Sequence, residues 1–177
     1  MWINCGDNVK VIFWDRFLYA ASFFLIPLFY HFSLEFCKIK ERWQEILLYL
    51  SYLIAIFLTF LSQTDYFVKD VFNYQWGCHT KAQIGHHFYL IFTFFFVFLT
   101  LYNFLKFWLN KNQPILKRKQ SLYILSGFLI YSLVSIEILP AYGIGIYPIF
   151  YLALPLFTLI VAYAITEKQL FGPALGN

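Results

Sequence analysis

The residues with the most chemistry in them are few, and they lie at the edges of long apolar runs. Asp15 and Arg16 are adjacent near the start of one such run. Ionisable residues in a membrane-length segment are expensive to bury, which makes them functional candidates. Being consecutive, they point about 100° apart on a helix and do not pair on one face. The plain alternative is an interfacial anchor, with Arg16 reaching to the headgroups. Glu137 closes a later run, just before Leu139-Pro140, at a depth similar to that of Arg16. An Arg16–Glu137 pair would lock two helices together or respond to a ligand. Without Arg16, Glu137 is a wetted carboxylate at the membrane rim.

Cys78, His79, His86 and His87 crowd one connection. Imidazole and thiolate are good metal ligands. Yet His86 and His87 diverge on a helix, and no carboxylate or spacing motif completes a set, so no metal is expected. The three cysteines, Cys5, Cys37 and Cys78, show no C-x-x-C spacing. Cys5 and Cys78 fall on the same side, where an oxidising compartment permits a disulfide. His31 lies toward the opposite membrane face from His86 and His87. The separation of about 20–30 Å rules out a shared haem. Gly143-Ile-Gly145 follows no strand and reads as a turn, not a phosphate loop. There is no nucleophile–base constellation, no H-E-x-x-H and no paired membrane carboxylates. The expectation is a protein that is not an enzyme and needs no cofactor.

The elements that position these residues follow from composition. The 177 residues are 61% hydrophobic, 24% aromatic and 12% charged. A soluble domain carries roughly 25% charged residues, so this chain has too little charge to cover a sphere. The predicted fold is all-α, a polytopic transmembrane helix bundle forming a single domain over residues 1–177. About five spans are expected, at about 11–36, 46–61, 86–109, 121–139 and 149–166. Pro27 and Pro155 are expected to kink their helices and free backbone carbonyls. The formal charge of +4 is not a nucleic-acid signature, because the cations flank membrane segments. No cleaved signal peptide is expected.

The connections order the topology. Lys111, Lys117, Arg118 and Lys119 lie in the break between the third and fourth spans, with Lys106 one turn earlier and no acid among them. Short cationic loops stay in the cytoplasm. The first connection carries Lys38, Lys40 and Arg42, the second only Lys69 and Lys81, and the fourth no cation. This alternation places the N-terminus outside and the C-terminus in the cytoplasm. The long connection Ser62–Gly85 interleaves Tyr66, Phe67, Val68, Val71, Phe72 and Tyr74 with Asp65, Lys69 and Asp70. That spacing predicts a short amphipathic helix on the membrane surface, with Trp76 at headgroup depth.

Several pieces then recur together. They are Arg16-x10-Pro27-x4-Phe32 in the first span, Trp76-Gly77 and Gly85 before the third, and Lys117-Arg118-Lys119-Gln120 opening the fourth. The last span has Pro155, then Ala162-Tyr163-Ala164-Ile165, with Leu170-Phe171 beyond. Over nearly all its length the chain resembles the seven-helix N-terminal membrane-sensor region of bacterial histidine kinases and diguanylate cyclases, as the last five of the seven helices. No phosphoacceptor-histidine helix or ATP-binding domain is present in these residues, so kinase activity does not carry over. The resemblance implies a sensor in the bacterial inner membrane that passes a signal from outside to a cytoplasmic partner. That partner would be a separate transmitter kinase, or the chain would self-associate. Arg16, Glu137 and Trp76 are the residues expected to take part in ligand or signal coupling. A small transporter or channel subunit and a non-functional truncated remnant are the competing readings. The apolar span centres speak against an ion path.

Overall fold

The computed structural model describes residues 7–149 and 152–166. Cys5, and with it the permitted Cys5–Cys78 disulfide, therefore lies outside the described residues, as does the Leu170-Phe171 pair. The elements run α1 (Asn8–Cys37), α2 (Arg42–Ser62), β1 (Val68–Tyr74), β2 (Gly77–Ala82), α3 (Ile84–Leu109), α4 (Ile115–Ser132), a 3-10 segment (Leu133–Tyr142) and α5 (Ala153–Thr166). Among the described residues, α1, α2, α3 and the stretch Ile115–Tyr142 are long and apolar enough to cross a membrane, and α5 is a shorter apolar helix. The helical, membrane-spanning fold expected from composition is the one found.

The helices are turned inside out relative to a soluble bundle. The buried stripe of α2 is Gln44, Leu48, Ser51, Ala55, Leu58 and Ser62, spaced four and three apart. Small and polar side chains on that stripe let α1 approach closely. The opposite face of α2 exposes Ile46, Tyr49, Leu53, Ile56, Phe57 and Phe60. Only a lipid solvent makes large apolar residues the natural outer face. On α1 the inward stripe is Phe23, Ile26, Tyr30, Leu34 and Cys37. Phe23, Ile26, Tyr30 and Leu34 pack with Leu48, Ala55 and Leu58 of α2 and Tyr89, Phe92 and Phe96 of α3 into one core.

The helix ends have identifiable causes. Asp7 caps α1, accepting from the Lys10 amide at 3.2 Å. At the other end Lys38 is left-handed with φ 53°, and the Lys38 and Ile39 amides donate to Glu35 O and Leu34 O at 3.2 and 2.9 Å. That pair of bonds is a Schellman stop. Pro27 lies inside the continuous helix α1, where it has no N–H to give to the Phe23 carbonyl. Pro155 is the third residue of α5. In the first turn its missing N–H has no helical acceptor to serve, so it starts the helix instead of interrupting it. The fourth span differs from a plain α-helix over 121–139: its α-helical part ends at Ser132 and the chain continues to Tyr142 as 3-10 helix containing Pro140.

The described chain divides into two compact units, one built from residues up to Thr100 with Ile138–Tyr147, the other from Leu101–Glu137 with the residues after Tyr147. In the second unit α4 and α5 meet at Gly127, where an added Cβ would lie 3.3 Å from Phe157. Phe128 packs on Phe104 and Phe157, and Tyr123 on Tyr163.

The connection between α2 and α3 is an antiparallel hairpin, not the surface helix expected from its spacing. Val68 pairs with Ala82 and Val71 with Thr80. Between those pairs, Lys69 and Asp70 together face Lys81 alone, so β1 carries a bulge. The extra residue puts Val68 and Val71 on one buried face although they are three apart. Three-residue spacing of apolar side chains imitates a helix. Neither turn residue, Gln75 or Trp76, has a positive φ, and Gly77 at φ 147° takes the conformation that other residues avoid.

The bulge also sets the hairpin's electrostatics. Lys81 Nζ lies 2.5 Å from Asp70 Oδ2 and 4.8 Å from the Phe72 ring. This bond and the one from the Val71 amide hold the Asp70 carboxyl below its ordinary range. A depressed folded-state value contributes stability above the unfolded pKa of about 3.9 and loses it as pH falls through the folded value. Hairpin amide protection factors are therefore expected to drop below about pH 4 in the wild type. Asp70→Asn should remove that acid-side slope. Equal slopes in the two proteins would contradict the assignment.

Candidate functional site

Two bonded clusters lie in the first unit, one tying this hairpin to α1 and the other joining α3 to α1 and to Tyr142. The neck is closed by backbone bonds, from the Gln83 amide to Phe67 O at 2.9 Å and from the Gly85 amide to Tyr66 O at 2.8 Å. Gly85 is required by that approach, because a Cβ there would lie 2.9 Å from Tyr66 O and 3.1 Å from Leu61. Gly85→Ala is expected to destabilise the fold by about 1–3 kcal/mol, read as a lower unfolding midpoint in detergent. An unchanged midpoint would mean that the neck is not held as described.

The first cluster is the Asp15–Arg16 pair. Arg16 Nη1 donates to Gln63 O at 2.9 Å, and Nη2 donates to Asp65 Oδ1 at 2.8 Å and to Val68 O at 2.9 Å. Its Nε is buried without a hydrogen-bond partner among the described residues. The guanidinium thus bridges the end of α2, the following turn and the first residue of β1, a task suited to a rigid planar donor. The neighbouring Asp15 points about 100° away and accepts from the Thr80 hydroxyl on β2. Consecutive side chains that cannot pair with each other hold both strands to α1. The carboxylate that Arg16 takes is Asp65, which corrects the expected Arg16–Glu137 pair. Glu137 lies in the 3-10 segment and belongs to the second unit.

The second cluster centres on His86, in the first turn of α3 and fully buried. Its Nδ1 is 2.9 Å from the Tyr142 hydroxyl and its Nε2 is 3.0 Å from the Tyr19 hydroxyl. A neutral imidazole has one donor and one acceptor nitrogen, and a tyrosine hydroxyl serves either. Both ring nitrogens are therefore satisfied in either tautomer. Phe67 and Tyr89 complete the wall, their ring centroids 5.3 and 5.5 Å from that of His86. The adjacent His87 is exposed and turns its Nδ1 to Gln83 O at 3.2 Å, the divergence expected of neighbours on a helix.

The hairpin tip has its own contact. Tyr74 donates to Pro140 O at 2.7 Å. Burial pushes the Tyr74 hydroxyl up from its ordinary pKa. Trp76 stacks on Tyr74 with centroids 4.9 Å apart and planes 11° from parallel, and its indole N–H is buried without a partner among the described residues. Gly145 lies against the Tyr74 ring, 3.1 Å from where its Cβ would be.

Of the residues singled out from sequence, Arg16 and Trp76 are thus brought to one hairpin, at its base and its turn. Asp65, Thr80, Tyr19, His86 and Tyr142 carry the clusters with them, and sequence reasoning did not assemble these. The available signal was a run of aromatic and β-branched residues around Trp76-Gly77, which suits strands as well as a helix. No group of three or more metal-ligating side chains occurs among the described residues.

Membrane-length helices carrying a latched hairpin define a polytopic helical membrane protein. The sequence model described as the N-terminal 7TM region of histidine kinase matches residues 4–173, and the chain belongs to that family. Neither a curated protein nor a solved structure matches it significantly.

Proposed function

We propose that the chain is the signal-perceiving part of a membrane sensory system, non-catalytic itself, that passes a change at the hairpin to a cytoplasmic transmitter kinase. Family membership supports a sensor region, and the latch on α1 supports the hairpin as the input element. One observation carries the reading: both strands are bonded to consecutive residues of a single long helix, Asp15 to β2 and Arg16 to β1. Helix α1 has 30 residues and is about 45 Å long. A shift of the hairpin would be felt at the far end, where Lys38 and Lys40 lie. The missing hydrogen bond at Pro27 gives the rod a compliant point. In this reading the hairpin faces the outside of a bacterial inner membrane and the Lys38–Arg42 turn faces the cytoplasm, as the cation bias requires. Trp76 and Glu137 remain candidates for ligand or signal coupling.

The test is a pull-down of the C-terminally tagged chain from its native membrane after crosslinking, with partners identified by mass spectrometry. Recovery of a protein with a phosphorylatable histidine is the expected result. Recovery of self-crosslinked chain alone would overturn the reading and favour a stand-alone oligomer.

A further inference from the structure

We propose that the turn joining α3 to α4 is a binding surface for anionic phospholipid headgroups. It carries Lys106 in the last turn of α3, Lys111 in the connection, and Lys117, Arg118 and Lys119 in the first turns of α4. No aspartate or glutamate occurs between Asp70 and Glu137, so this stretch has no acid of its own. The other cationic turn is different in kind. Lys38, Lys40 and Arg42 lie among Glu35, Glu41 and Glu45, which offset them locally.

Position favours lipid over a soluble acidic partner. The connection between the two helices is only 110–114. Lys106 is three residues from the end of α3 and Lys119 four from the start of α4, about 5–6 Å along each axis. That is the thickness of a headgroup layer, so the cations are held at phosphate depth. Exposed apolar side chains lie at the same level: Leu105, Leu109, Ile115 and Leu116. They would be a poor match for a hydrated acidic protein and a good one for the acyl boundary below a phosphate. Arg118 has a second task, its Nε donating to the Trp108 carbonyl at 2.8 Å. This bond satisfies an end carbonyl of α3 and fixes the turn. Lys111, Lys117 and Lys119 are therefore the cations best placed to meet phosphate. Lipid binding here is independent of the sensor role and of which face of the membrane the turn occupies.

The experiment uses the full chain in phosphatidylcholine vesicles doped with spin-labelled phosphatidylglycerol or spin-labelled phosphatidylcholine. Electron spin resonance reads the motionally restricted fraction of each. The wild type is expected to prefer phosphatidylglycerol by about fivefold, the size of one well-placed cation–lipid contact, and the preference should shrink as salt is raised. K111Q/K117Q/K119Q should bring it near unity, whereas K38Q/K40Q/R42Q should leave most of it. No preference in the wild type at low salt would overturn the proposal, and it would do so with no substitution made. A preference retained by the K111Q/K117Q/K119Q protein would place the lipid elsewhere and also overturn it. Inorganic phosphate at millimolar concentration should not compete. Full competition would assign the turn to a free anion. Capture of the turn by an acidic protein, with no lipid preference, would assign it to that partner.

Discussion

Arg16→Gln is expected to lower unfolding stability by about 2–3 kcal/mol, because hydrogen bonds to a charged group are each worth about 1.5–3 kcal/mol and part of the site is wet. The Arg16 side chain is 18% exposed, while that of Asp65 is 70% exposed. The ion pair itself should therefore contribute little, and Asp65→Asn should cost less than about 1 kcal/mol. The larger share comes from the Gln63 and Val68 carbonyls, which glutamine cannot reach together. Arg16→Lys should fall between, since it keeps the charge and loses the fork. Denaturant unfolding in detergent gives the ranking, and amide exchange at Val71 and Thr80 shows whether the hairpin loosens first. If Asp65→Asn matched Arg16→Gln, the guanidinium would be acting as a charge and not as a bridge.

The second large effect is expected at His86. His86→Leu removes the partner of two hydroxyls at once and leaves Tyr19 and Tyr142 to find others. Orphaned buried polar groups cost about 1–3 kcal/mol each, which gives about 2–4 kcal/mol here. Tyr142→Phe and Tyr19→Phe each remove one bond and should cost about 1 kcal/mol. The His86→Leu and Tyr142→Phe effects should be non-additive in a double-mutant cycle, because the two side chains share a bond. Near-UV circular dichroism should register the loss, since four of the rings around His86 are tyrosine or phenylalanine: Tyr19, Phe67, Tyr89 and Tyr142. Additive effects would show that the bond between His86 and Tyr142 contributes nothing.

The parts of the fold that were legible in sequence are those set by composition and length. A solvent of lipid leaves long apolar runs no choice but helices, so α1, α2 and α3 fall close to their expected places. The second helix reaches back beyond residue 46 to Arg42; Arg42, Gln44 and Glu45 join it although they are polar, Gln44 being buried against the Tyr30 hydroxyl. The hairpin was hidden by its own bulge. One inserted residue gives Phe67, Val68, Val71 and Phe72 the spacing of a helical face. The site was half visible. An Arg buried early in a span announced itself by its cost, but its partner did not, because Asp65 lies 49 residues away. Its partner follows from where the hairpin folds back. His86 opened an expected span and was weighed only as a metal ligand beside His79 and His87. Its role depends on Tyr19 and Tyr142, which lie 67 and 56 residues away and have no pattern linking them in sequence.

Under the proposed function the hairpin is coupled through Arg16 to a cytoplasmic kinase output. The most direct test measures phosphorylation of the crosslinked histidine-containing partner in native membranes that contain the wild-type chain, the Arg16→Gln chain or no chain. The account predicts that removing the chain changes the phosphorylation level and that Arg16→Gln changes it too, at equal membrane abundance. A level that is the same in all three membranes would contradict it.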